Sequence, residues 1–114
     1  MSAGAYDITC EQGATFSRIL SIFDSDGNAR DLSGYTARMQ VRRTAASTTT
    51  IVELTTENGR ITLNSSGEVT LGMSAQVTAG ITDGGVYDLE IESPDGVVER
   101  VIEGNFYLYL EVTR

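Results

Sequence analysis

The chain has 114 residues, 40% of them apolar and 21% charged, with a formal net charge of −8. That length suits one domain, residues 1–114, able to bury roughly two thirds of the surface its unfolded chain exposes, and the composition excludes a disordered tail. The acidity argues against any grip on nucleic-acid phosphates, while one Cys and no His exclude an internal disulfide, the usual nitrogen–sulfur metal site and a His-dependent triad.

The opening Met-Ser-Ala-Gly-Ala has neither the basic nor the apolar region of a signal peptide, which implies cytosolic synthesis. Apolar runs are far too short to span a membrane. Tyr6 to Glu11 alternates as a first strand with Tyr6, Ile8 and Cys10 inward, and Cys10 reads as a small buried hydrophobe. Thr15 to Phe23 is a second strand with apolar residues on both faces: Phe16, Leu20 and Ile22 share one parity, Ile19 and Phe23 the other. Such a strand is expected to be central or covered on its second face. Asp26-Gly27 marks a tight turn. Asp24, Asp26 and Asn28 have the spacing that opens a calcium loop, but Gly27 stands where the loop has no glycine and Tyr35 where it needs a Glu, so a plain turn is the better reading.

Tyr35 to Arg43 alternates without a fault, with Tyr35, Ala37, Met39 and Val41 on one side and Thr36, Arg38, Gln40 and Arg42 on the other. Thr44 to Thr50 is an exposed polar loop. Ile51 to Thr55 and Arg60 to Leu63 follow as strands joined by a hairpin at Asn58-Gly59, and the turn Asn64–Gly67 leads to Glu68–Met73. Ser74 to Gly80 offers a Ser cap, an Ala-rich turn and a Gly stop, which predicts one helical turn crossing the structure. In Val86 to Glu92, Tyr87, Leu89 and Ile91 face in, and Asp88, Glu90 and Glu92 face out toward a candidate partner row of Arg38, Gln40 and Arg42. A Ser93–Gly96 hairpin returns Val97 to Ile102. After Gly104 a separate strand, Asn105 to Thr113, turns Phe106, Leu108, Leu110 and Val112 inward and Tyr107, Tyr109, Glu111 and Thr113 outward.

This pattern predicts an all-β fold, an antiparallel β-sandwich of about eight strands with one short helical turn, a barrel being the alternative. No pairing of nucleophile with base and no converging carboxylate dyad is present, so no enzymatic activity and no cofactor or metal is expected. Gly84-Gly85 lacks the Lys and helix of a phosphate cradle. All eight cations are Arg, from compositional habit or because planar bidentate contacts suit interfaces. The candidate interface residues are Tyr107, Tyr109, Arg38, Arg42, Asp24, Asp26 and Asn28.

Several stretches together resemble a known group. They are Tyr6-Asp-Ile-Thr-Cys-Glu-Gln-Gly-Ala-Thr-Phe16, Asp24-Ser-Asp-Gly-Asn28, Asp31-Leu-Ser-Gly-Tyr-Thr-Ala-Arg-Met-Gln-Val-Arg42, Val86-Tyr-Asp-Leu-Glu-Ile91, and the closing Glu103-Gly-Asn-Phe with Glu111-Val-Thr-Arg114. The sequence resembles small structural proteins of tailed bacteriophages and is similar in layout to the N-terminal β-sandwich of phage baseplate upper proteins. The resemblance implies a virion component made in the host cytoplasm. It would be an adaptor at the neck, tail or baseplate, docking in symmetric copies against other virion proteins and seating neighbours or fibres, with neither nucleic acid nor membrane as partner. A capsid decoration protein is the alternative in that class, and a carbohydrate-binding module using Tyr107 and Tyr109 is the alternative outside it.

Overall fold

A computed structural model describes residues 4–113. The elements in order are β1 Gly4–Ala5, β2 Ile8–Glu11, β3 Phe16–Ser21, β4 Thr36–Arg42, β5 Val52–Thr55, β6 Ile61–Leu63, β7 Glu68–Met73, α1 Ala75–Ala79, β8 Gly85–Glu92 and β9 Val98–Tyr109. They form a β-sandwich. One sheet has the order β1-β9-β8-β4-β5, with β2 following β1 along the same side of β9; the other has the order β3-β7-β6.

Period-two patterning decides what lies between the sheets. Ala37, Met39 and Val41 from β4, Tyr87, Leu89 and Ile91 from β8, and Phe106 from β9 meet Phe16 and Leu20 from β3 and Val69, Leu71 and Met73 from β7. Each large apolar side chain so buried contributes on the order of 1.5–3 kcal/mol. Cys10 is also fully buried, and desolvation pushes its thiol pKa up; it is a core residue of β2.

Several expectations need correction. β1 and β2 pair with β9 in parallel, so the larger sheet is mixed. The first strand is shorter than Tyr6–Glu11, and Tyr6 is partly exposed. β3 is an edge strand, and its second face, with Ile19 and Phe23, stands open. The turn at Asn58-Gly59 is not a hairpin, because β5 and β6 belong to different sheets and the chain crosses between them there. Asn105–Thr113 is not a separate strand: β9 runs unbroken from Val98 through Gly104 to Tyr109, and Leu110 and Val112 lie exposed beyond it. Gly104 permits this because the chain linking β1 to β2 presses on β9 there; a Cβ at 104 would lie 2.2 Å from Tyr6 O.

Other expectations agree with the structure. α1 has Ser74 as its cap, with Ser74 Oγ accepting from Val77 N–H, and it carries the chain from β7 in one sheet to β8 in the other. The turn 64–67 joins β6 to β7, and 93–97 joins β8 to β9.

The body measures 45 × 27 × 24 Å. Its loop end carries the β3–β4 connection, the 64–67 turn and the 93–97 loop. Its helix end carries α1, the 12–14 turn, the 43–51 connection and the end of β9.

Candidate protein-interaction surfaces

The outer face of the larger sheet is a ladder of charge. Register sets Arg38 opposite Glu90 and Gln40 opposite Asp88, the arrangement the alternation of the two strands implies. Arg38 Nε donates to Glu90 Oε1 at 3.0 Å and its Nη1 stands 3.9 Å from Glu92, while Arg100 reaches Asp88 at 3.2 Å and Glu103 at 3.8 Å. Gln40 Nε2 donates to Glu53 at 2.6 Å, and Arg42 donates to Gln40 Oε1 and Ser47 O. Arg38, Gln40, Arg42, Asp88, Glu90, Arg100 and Glu103 line a shallow concavity of about 810 Å³. Its walls mix these mutually bonded charged groups with Ala45, Val86 and Tyr87, and it is open rather than enclosed, unlike the pockets that hold small ligands.

The guanidinium groups of the described residues are all used in contacts within the chain. Arg18, Arg42 and Arg60 donate to main-chain carbonyls; Arg30, Arg38, Arg43 and Arg100 pair with carboxylates. Five of them, Arg18, Arg30, Arg38, Arg42 and Arg100, use two nitrogens on two acceptors, a fork that an ammonium group lacks.

Tyr107 and Tyr109 extend the same outer face toward the helix end, beyond the start of β8, with 49% and 62% of their surface exposed. Tyr107 lies opposite Thr9 and Tyr109 opposite Glu11 on β2. With Leu110 and Val112 just beyond, they make an apolar and aromatic lip at one extremity of the molecule. Leu110 and Val112 escaped the sequence reading because the alternation runs on past the residue where the strand stops.

Arg38, Arg42, Tyr107 and Tyr109 therefore share one face. Asp24, Asp26 and Asn28 do not join them and lie at the loop end. There Asp24 Oδ1 accepts from the N–H groups of Asp26 and Asn28 at 2.9 and 3.0 Å, and Phe23 bridges Ala29 at the base of the turn. Asp31 Oδ1 likewise accepts from Ser33 N–H, and bonding by the Ser33 side chain, then by its backbone, holds the Asp31 carboxyl below the usual range. Phe23, next to Asp24 in the chain, and Val97, in the 93–97 loop, stand exposed at this end. The loop end is tied across the sandwich by Arg30, whose guanidinium forks onto both oxygens of Glu99 and holds that carboxyl below its ordinary value.

The helix end is tied differently. Thr78 is fully buried; its hydroxyl accepts from Gly13 N–H at 3.0 Å and donates toward Ala14 O at 2.8 Å and Ala75 O at 3.1 Å. Gln12 donates to Ile81 O and accepts from Glu111 N–H. Gly13 adopts φ +82°, and a Cβ there would lie 1.8 Å from the Glu111 carboxylate, so only glycine fits.

No family model matches the sequence, and no curated protein does. Among solved structures the chain is similar to Tim-1, at 15% identity and a TM-score of 0.48 over 100% of this chain and 99% of that one. A second is a chain of the complex of ICOS with ICOS-L and an anti-ICOS-L VNAR domain, at 11% identity and 0.53, covering 94% of this chain and 56% of that one. A third comes from photo-crosslinking work on multimeric cell-adhesive interactions of VGSC beta subunits, at 14% identity and 0.49, covering 99% and 98%.

The fold is immunoglobulin-like. Its strand order agrees: β9-β8-β4-β5 is the G-F-C sheet extended by C′, and β3-β7-β6 is B-E-D. The hallmark disulfide between B and F is replaced by apolar packing, since the inward positions of β3 and β8 carry Phe16, Leu20, Leu89 and Ile91 and Cys10 lies on β2. Tyr87 stands near the start of β8, where such domains carry a corner tyrosine, but its hydroxyl donates to Tyr6 O. Burial pushes its pKa up.

Proposed function

We propose that this chain is a non-enzymatic structural adaptor of a phage particle, seated at the neck, tail or baseplate in several symmetric copies. The observation that carries the adaptor reading is the presence of two unlike exposed surfaces at opposite ends of one sandwich. One is the aromatic lip of Tyr107, Tyr109 and Leu110; the other is the acidic tip around Asp24 and Asp26 with exposed Phe23 beside it. Tyrosine is enriched where proteins bind one another, and two separated surfaces let one molecule hold two neighbours. The virion context is supported by the resemblance of the sequence to small phage structural proteins. The immunoglobulin-like fold is compatible with a binding role and is silent on the partner.

Quantitative mass spectrometry of purified virions tests the reading. An adaptor at a symmetric junction is expected at on the order of six to a few dozen copies per particle. Hundreds of copies would shift the assignment to capsid decoration, and absence from the particle would overturn both.

A further inference from the structure

The two sheets leave free edges along one side of the sandwich, β2 on the larger sheet and β3 on the smaller. Ile22 N–H donates to Gly67 O at 2.8 Å, which fixes the phase of the antiparallel β3–β7 ladder. Phe16, Arg18 and Leu20 therefore bond to β7, and Ser17, Ile19 and Ser21 turn their amides and carbonyls to the free edge. On β2 the bonds Tyr6 N–H to Glu103 O and Gln12 N–H to Tyr109 O give β9 to the even residues, so Thr9 O also faces outward.

Arg18 occupies the gap. It stands between buried Phe16 and Leu20, with its guanidinium 5.0 Å over the Phe16 ring. Its Nη1 donates to Ser17 O at 3.0 Å and its Nη2 to Thr9 O at 2.8 Å. One side chain thus closes the edges of two sheets. The β5 edge is closed by the chain's own turn instead: Glu53 O accepts from Asn58 Nδ2 and Arg60 Nη1, and Thr55 N–H donates to Asn58 Oδ1.

We propose that the free edge of β3 is a strand-pairing surface for a second copy of this chain, and that Arg18 is the latch that holds it shut. Self-complementarity selects the partner. The outward residues read Ser17, Ile19, Ser21, symmetric about Ile19. An antiparallel two-fold pairing sets Ser17 against Ser21 and Ile19 against Ile19, joining two three-stranded sheets into one of six. Charge points the same way. In a chain of net charge −8, β3 carries no carboxylate, a property it shares with the shorter edge strand β6, whereas the edge strands β2 and β5 carry Glu11 and Glu53. An inward-turned charge on an edge strand is a known means of preventing such pairing, and Arg18 withdraws Ser17 O, an acceptor the second copy needs.

Sedimentation equilibrium of the full chain as wild type, Arg18→Met and Arg18→Met/Ile19→Lys is the test, with amide hydrogen exchange read on the same samples. Arg18→Met is expected to dimerise at least about tenfold more tightly than wild type and to slow exchange at Ser17, Ile19 and Ser21. Ile19→Lys should return the protein to monomer by placing like charges opposite each other at the two-fold. Association no tighter than wild type overturns the proposal, as does a dimer in which those three amides still exchange fast or which survives Ile19→Lys. Should Arg18→Met not fold, Arg18→Lys, which keeps the charge and loses the fork, takes its place, with a smaller shift expected in the same direction and the same overturning results.

Discussion

The two ends of the sandwich are held by different chemistry. At the helix end, Thr78 and Gln12 join three connections through neutral hydrogen bonds, with the Thr78 side chain out of water. At the loop end the tie is the ion pair of Arg30 and Glu99, a quarter to a third exposed. A buried neutral network is costly to interrupt because each orphaned donor or acceptor loses its partner without regaining water; a wet ion pair gives way cheaply. The two ends should therefore differ in sensitivity to mutation and to pH.

Thr78→Val is the largest expected break. It keeps the shape and orphans Gly13 N–H and Ala14 O, so urea unfolding should show a loss of about 1–3 kcal/mol. Thr78→Ser should recover most of it.

Next comes the exposed lip at the same end. Tyr107→Ala with Tyr109→Ala should leave the unfolding midpoint nearly unchanged while lowering incorporation into particles by about tenfold or more, read by virion mass spectrometry. Equal incorporation would remove the lip from the contact.

Glu99→Gln sharpens the contrast through pH. The folded pKa of Glu99 lies below its ordinary value of 4.5. Its contribution is therefore present above that value and is lost as pH falls through the folded pKa. Glu99→Gln should cost about 0.5–1 kcal/mol at neutral pH after allowance for screening. It should also flatten the acid limb of the stability curve, whereas the Thr78→Val loss should stay constant over the same pH range. Smallest is Arg38→Ala on the exposed ladder, expected within about 0.5 kcal/mol of wild type.

The legible and illegible parts of this molecule divide by range. Alternation within one strand is readable, which is why the apolar sides of β4 and β8 and the cap of α1 follow from the sequence. Which strands belong to one sheet is not, because β5 and β6 are separated by an ordinary-looking Asn58-Gly59 turn and nothing local says that the chain changes sheet there. The immunoglobulin-like topology was hidden for a related reason: its usual sequence markers are a Cys pair and a Trp, and this core fills those positions with Leu, Ile and Met. The row of Arg38 against Glu90 could be anticipated from period two. The Arg30–Glu99 pair and the reach of Arg18 to Thr9 could not, since each joins residues on different elements through loop geometry.

The register of β9 shifts by one residue between Leu89 and Glu90, leaving Val101 without an opposite number: Arg100 faces Glu90 and Ile102 faces Leu89. Were Val101 paired in the ladder instead of bulged, every later position of the strand would change sides. Glu103 and Asn105 would turn into the oily interior and Phe106 out to water, while the tyrosines would vanish from the surface. The outward presentation of the aromatic lip is thus decided six residues upstream of Tyr107, by the bulging of a single valine out of the ladder. Deleting Val101 would turn the bulge into regular pairing, with Arg100 and Ile102, now neighbours, still opposite Glu90 and Leu89 and the tyrosines still outward. The strand therefore tolerates loss of this residue but not its uptake into the ladder.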